Sequence, residues 1–314
     1  MMQFDQFIEE VKNEVKLLVG DEYSVSVNCV LKINRKLQGL SIRYPGITVA
    51  PSIYLEDYFT EYQKGKDISQ IAKEIIEVLN RRKLDVNFSS DNILDYKWVK
   101  PRLRVKLINY NKNMELLQSV PYDKTLDLAI VPYILLAKGE ETMSITVNYQ
   151  LLENWGIQQE EMLKIAKENT LSIDPVKVER MTDFIIHMML KELNTMEDNC
   201  NADDREELIK AIVSKDSGRY EMYILTNQDN QNGAFSALQT DTLSHLTDEI
   251  DADKIYILPS SIHELIAVPA YDFKPNDLKE MVMSVNRSEV AEEEFLSDMV
   301  YRFDRNSRIL QIAG

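Results

Sequence analysis

The strongest constraint on this chain is the order in which two hydrophobic periods follow one another. Strand-like runs come in adjacent pairs, near 221–226 and 233–238, 254–258 and 262–268, and 299–303 and 308–312, with helix-like segments at 240–250, 276–286 and 289–297 between them. Strands joined by a few residues fold back on each other, whereas parallel neighbours need a crossover of a dozen residues or more. The expected class is therefore α+β: antiparallel sheets with helices packed on them, in two lobes, and no doubly wound sheet.

The first half repeats the theme. Phe4, Phe7, Ile8, Val11, Val15 and Leu18 fall at helical spacing before Gly20, and β-like runs at 23–30, 37–43 and 47–54 follow, parted by Asn34-Arg35-Lys36 and Tyr44-Pro45-Gly46. That reads as a helix and a three-stranded meander. Asp67 caps a helix striped by Ile68, Ile71, Ala72, Ile75 and Leu79, with Gln70 completing a capping box. Across 98–110, Val99, Leu103, Val105 and Leu107 face away from Lys100, Arg102, Arg104 and Lys106, which predicts a half-buried strand with a basic outer face. Strands are expected at Leu126–Ala137 and Met143–Val147, joined by Lys138-Gly139-Glu140-Glu141. Helices are expected at 157–168, at 175–194 with Val178, Met181, Ile185 and Met188 buried, and at 203–213. The polar, helix-poor run Thr195–Asp204 reads as a linker between domains at 1–195 and 203–314.

Glycine limits the chemistry. The chain has nine, and the closest pair, Gly39 and Gly46, lies seven positions apart. A dinucleotide fingerprint or a P-loop needs glycines two to five positions apart so that backbone can approach phosphate. Gly65-Lys66 fails because Thr60 stands where the first P-loop glycine belongs.

The net charge is -16, and residues 196–314 hold 24 acidic and 11 basic side chains, net -13. Such a surface repels nucleic acid and anionic lipid at long range, so neither is an expected partner. The exception runs from Arg81 to Lys106, where Lys100, Arg102, Arg104 and Lys106 could meet a phosphate or a partner, although a solvated face is the simpler reading. Cys29 and Cys200 lie too far apart in sequence to signal a disulfide framework or a thiolate metal site, and Cys29 reads as a small buried hydrophobe. No apolar run is long enough to span a bilayer, and the N-terminus lacks a signal-peptide pattern; a reducing bacterial cytoplasm is the expected compartment.

The three histidines can be weighed one by one. His187 shares a helix face with Asp183 one turn earlier and reads as a solvated pair; His245 has no assigned role. His263 follows Ser260 and Ser261 and precedes Glu264 at a strand end marked by Pro259. A hydrolase or transferase using Ser260 or Ser261 with His263 and Glu264 is conceivable, but no glycine-flanked elbow or oxyanion loop accompanies them, and Pro-Ser-Ser serves well as a turn. His263-Glu264 lacks the second histidine of a zinc helix, the calcium-loop spacing begun by Asp251 and Asp253 breaks at Ile255, its third ligand, and Glu292-Glu293-Glu294 diverge on a helix, so no metal and no cofactor is expected. Tyr54, Tyr58 and Tyr62 recur at i,i+4 and predict one helical face, either a packing stripe or a protein-contact surface.

Several stretches, among them Leu55-Glu56-Asp57-Tyr58-Phe59, Leu126-Asp127-Leu128-Ala129-Ile130-Val131 and Ile257-Leu258-Pro259-Ser260-Ser261-Ile262-His263-Glu264, resemble DUF5688, a bacterial family of unknown function from gut Firmicutes. The resemblance spans nearly the whole chain and implies an association with mobile elements, but brings no catalytic residues with it. The favoured reading is a non-enzymatic cytoplasmic protein that binds another macromolecule, most simply another protein, with an acidic lobe that could imitate DNA. The alternative is the serine hydrolase or transferase above.

Overall fold

A computed structural model describes residues 2–43, 52–84, 90–137, 142–195, 221–271 and 273–313. The chain divides into two units, Met1–Val99 and Lys100–Gly314.

In the first unit, α1 (Phe4–Val19) lays Phe7, Val11 and Val15 against a meander of β1 (Ser24–Lys32), β2 (Arg35–Arg43) and β3 (Ser52–Tyr54). Those three side chains are fully buried, each worth roughly 1.5–3 kcal/mol of transfer free energy. Gly20 ends α1 at φ 90°, where a side chain would be strained. β1 and β2 pair from Ser24↔Arg43 to Lys32↔Arg35, and Asn34 takes the left-handed conformation their tight turn requires. α2 (Glu56–Gln63) and α3 (Ile68–Leu84) complete the core with Ile71, Ala72, Ile75 and Leu79; Asp67 caps α3 by accepting from the Ser69 N–H at 3.0 Å. The short α4 (Ser90–Leu94) and α5 (Tyr96–Val99) follow. Cys29 is exposed, because β1 is solvated along much of both faces; its expected burial is corrected. The turn at 44–46, most of the strand expected at 47–54 and Cys200 lie outside the described residues.

The second unit holds two antiparallel sheets. In one, β6 (Leu128–Ala137) pairs on one side with β4 (Leu103–Asn109) and on the other with β5 (Asp123–Thr125) and β7 (Met143–Thr146). After α6 (Tyr149–Trp155), α7 (Gln159–Ile173) packs along β4, where the Thr170 hydroxyl accepts from the Val105 N–H at 2.9 Å and the Asn169 amide donates to the carbonyls of Lys100 and Leu103. The helix thereby satisfies an edge that would otherwise be a template for association.

The other sheet has the order β13-β12-β10-β11-β9-β8. Its strands are β8 (Val176–Arg180), β9 (Tyr223–Asn227), β10 (Lys254–Leu258), β11 (Leu265–Pro269), β12 (Tyr301–Asp304) and β13 (Ile309–Ile312), with α8 (Met181–Thr195), α9 (Ala234–Ala237), α10 (Thr240–Glu249) and α11 (Pro275–Ser288) between them. The α+β class with antiparallel sheets is as the pairing of strands required.

Four expectations are corrected. Val176–Arg180 is a strand, so the expected helix over 175–194 begins six residues late, at Met181. The apolar run at 233–238 is the short helix α9, and of the helix expected at 289–297 only the 3-10 turn Glu292–Glu294 forms. The boundary at 195–203 falls inside the second unit, because Val176–Arg180 pairs with Tyr223–Asn227 across it. The helix expected at 203–213 lies outside the described residues.

Candidate functional site

The bend after Pro259 is closed by its own hydrogen bonds. Ser261, 5% exposed, donates its hydroxyl to Glu264 Oε1 at 2.9 Å and accepts the His263 N–H at 2.9 Å. His263 Nδ1 accepts from the Asn232 N–H at 3.1 Å, so the ring proton sits on Nε2, which faces Glu294 Oε1 at 3.5 Å. The His263 carbonyl takes the Thr226 hydroxyl at 2.8 Å and the Gly233 N–H at 3.0 Å. Gly233 is needed here: a Cβ would lie 2.6 Å from Asn227 N and 2.7 Å from the His263 carbonyl oxygen. Nucleophilic activation requires a hydroxyl donating to an imidazole nitrogen. Here the Ser261 hydroxyl goes to a carboxylate and Nδ1 to a backbone donor, while Ser260 stands half-buried at the start of the bend.

The four cations do not form a face. Lys100 and Arg102 sit on a 3-10 turn before β4, and all seven residues of β4 are buried, Arg104 and Lys106 included, which corrects the expected basic outer surface. Arg104 donates Nη1 to the carbonyls of Pro101 and Leu103 at 3.0 and 2.7 Å, and its Nε lies 3.6 Å from Asp174 Oδ2. Lys106 lies over the Tyr133 ring, 5.3 Å from its centroid.

The tyrosine ladder is also divided. Tyr54 belongs to β3, under Lys32, and only Tyr58 and Tyr62 lie on α2, half-buried against the first unit's core, Tyr62 with its ring 5.3 Å from Phe7. The helix cannot include Tyr54 because the chain leaves β3 only at Leu55.

The feature that sequence reading missed lies at β8. A cavity of about 300 Å³ opens between Glu179 and Arg180 of β8, Glu221 and Tyr223 at the start of β9, and Glu249 at the end of α10, with Val178 and Ile250 supplying its apolar wall. The Tyr223 hydroxyl donates to Glu221 Oε2 at 2.8 Å, and burial, with that carboxylate beside it, pushes the phenol up to about 12. Glu179, with a side chain 10% exposed, is held between Lys177 at 2.6 Å and the His187 imidazole; the partner of His187 is thus on the neighbouring strand and not Asp183. In the same stretch of chain, Leu171 and Ile173 of α7, Val178, and Ile185 and Met188 of α8 are between 36% and 49% exposed. The expected buried stripe Val178, Met181, Ile185 and Met188 is therefore corrected: Met181 is half-buried and the other three are exposed. The alternation Val176-Lys177-Val178-Glu179-Arg180, directly after Asp174-Pro175, was the available signal.

The profile described as Family of unknown function (DUF5688) matches residues 4–305. The chain belongs to DUF5688. No curated protein and no solved structure matches this DUF5688 chain. Among its described residues, no three His, Cys, Asp or Glu side chains group so as to hold a metal ion, and no helix is long and apolar enough to cross a membrane.

Proposed function

We propose that this chain acts by binding another protein, and that its contact surface is the β8–α8 region. The observation that carries this reading is the concentration of exposed apolar side chains, Leu171, Ile173, Val178, Ile185 and Met188, within eighteen residues of chain, together with a cavity that Val178 lines with Glu179, Glu221 and Glu249. Clusters of that kind mark interaction sites on soluble proteins. The partner suited to it is a basic segment with apolar flanks, because Glu179, Asp183, Glu221 and Glu249 surround the surface and the chain as a whole is strongly acidic. The exposed thiol of Cys29 favours a reducing, cytoplasmic setting.

The alternatives have less support. The Ser261 and His263 hydrogen bonds leave the hydrolase reading without its nucleophile–base contact. Imitation of DNA asks for a ridge of unpaired carboxylates, and Asp241, Asp248, Asp251 and Asp304 each pair with Arg308, Arg305 or Lys254.

The test is a fluorescence titration of the full chain with a synthetic amphipathic peptide of leucines and lysines, against an analogue carrying glutamates for lysines. The reading expects binding by the basic peptide alone, weakened by salt, and weakened about tenfold by Ile185→Lys or Met188→Lys. Equal binding of both peptides, or indifference to both substitutions, would contradict it.

A further inference from the structure

The two terminal strands of the six-stranded sheet differ in a way that matters for association. β8, with the sequence Val-Lys-Val-Glu-Arg, carries three charges, the usual protection of a sheet edge. β13 reads Ile-Leu-Gln-Ile, with no charge, no proline and no glycine, and Ile309 and Ile312 are 55% and 43% exposed. Among the described residues no strand pairs with its outer side.

The ladder fixes which groups face that side. The Ala313 N–H donates to the Val300 carbonyl at 2.7 Å, and antiparallel pairs alternate between bonded and non-bonded. With the register Arg302↔Gln311 and Asp304↔Ile309, the backbone groups of Gln311 and Ile309 point inward to β12. The N–H and C=O of Leu310 and Ile312 therefore point outward, two residues apart, as a partner strand requires.

We propose that β13 is a self-association edge, at which two copies pair their β13 strands antiparallel about a two-fold axis through Gln311. Leu310 of each copy then lies opposite Ile312 of the other, and each such pair exchanges two hydrogen bonds, four in all. Ile309 meets Ala313, and the two Gln311 side chains meet at the axis. The segment Ile-Leu-Gln-Ile-Ala is apolar symmetrically about its centre, which an isologous contact needs. Charge permits it as well. The lobe is strongly acidic, but around its closing hairpin Arg305 pairs with Asp248 and Asp251, Arg308 with Asp241 and Lys254 with Asp304, so two copies approach through a part of the surface where charge is largely balanced. The contact is short, and the dimer is accordingly concentration-dependent, not obligate. It is independent of the binding surface at β8 and α8.

Sedimentation velocity of the full chain over ~1 to ~100 µM tests it. The wild type is expected to pass from monomer to twice the monomer mass. Ile312→Pro removes an outward N–H without touching the β12 ladder, and Ile312→Lys places a charge at the edge; each should weaken dimerisation at least about tenfold. Val178→Lys, on the opposite terminal strand, should leave it unchanged. A wild type that stays monomeric throughout, a dimer indifferent to both Ile312 substitutions, or a dimer lost equally in Val178→Lys would overturn the proposal.

Discussion

Arg104 shows how far a side chain's neighbours can overrule its pattern. Alternation along 98–110 places it on an outer face, yet it is buried against Asp174, seventy residues later, and no local pattern announces that partner. Arg104→Ala is expected to cost about 3–5 kcal/mol in urea unfolding, because it removes the cation buried beside the Asp174 carboxylate, whereas replacing Arg104 by Met and Asp174 by Leu together should recover most of the loss. A single-substitution cost below ~1 kcal/mol would place the pair in water instead. Tyr301 makes a second residue-scale prediction. Fully buried, it donates to Asp127 Oδ1 at 2.8 Å while Ser297 donates to Oδ2, and burial, with that carboxylate beside it, holds its phenol well above 10. A raised folded-state value means that stability is complete below pH ~10, where the unfolded chain is also protonated, and is lost as pH rises beyond it. Tyr223, pushed up to about 12, acts in the same direction. Unfolding free energy should therefore fall from pH 10 toward 12, and Tyr301→Phe should flatten that fall; an unchanged slope would contradict the assignment.

At the scale of elements, amphipathic pattern made α1, α3, α10, α11 and the β10–β11 and β12–β13 pairs legible, because each buries one face of a regular period. It failed at β8 and α9. Val176–Arg180 runs directly into a helix with its own apolar stripe, so a period of two lasting five residues was absorbed into the neighbouring period of 3.6, and Ala234–Ala237 is too short for its period to be read. The bend at 259–264 was legible as a turn from Pro259 and two serines, but its dependence on Gly233, thirty residues earlier, was not. Gly233→Ala should cost roughly 1–3 kcal/mol, since the added Cβ meets backbone atoms that cannot move aside, and thermal unfolding would register it. Thr170→Val keeps the shape of α7 and removes the acceptor for the Val105 N–H, with an expected cost of about 1–3 kcal/mol and faster amide exchange at Val105. Unchanged exchange there would mean the edge of β4 is satisfied in another way.

Over the whole molecule, the pairing of strand-like runs predicted the α+β class, while polarity along the chain said little about its division. The polar run at 195–204 resembled a linker, but a sheet that draws β8 from before it and β9 from after it makes one unit of both sides. The candidate site is a product of that pairing: Glu179 and Arg180 come from one strand, Tyr223 from the other with Glu221 just before it, and their antiparallel register assembles the cavity. Its carboxylates and the apolar side chains beside it are the basis for reading this chain as a binding protein. Amide hydrogen exchange of the full chain, with and without saturating basic amphipathic peptide, tests that reading most directly. Protection concentrated in residues 176–190 and 221–225 is the predicted result; protection centred on 259–264, with β8 and α8 unaffected, would contradict it.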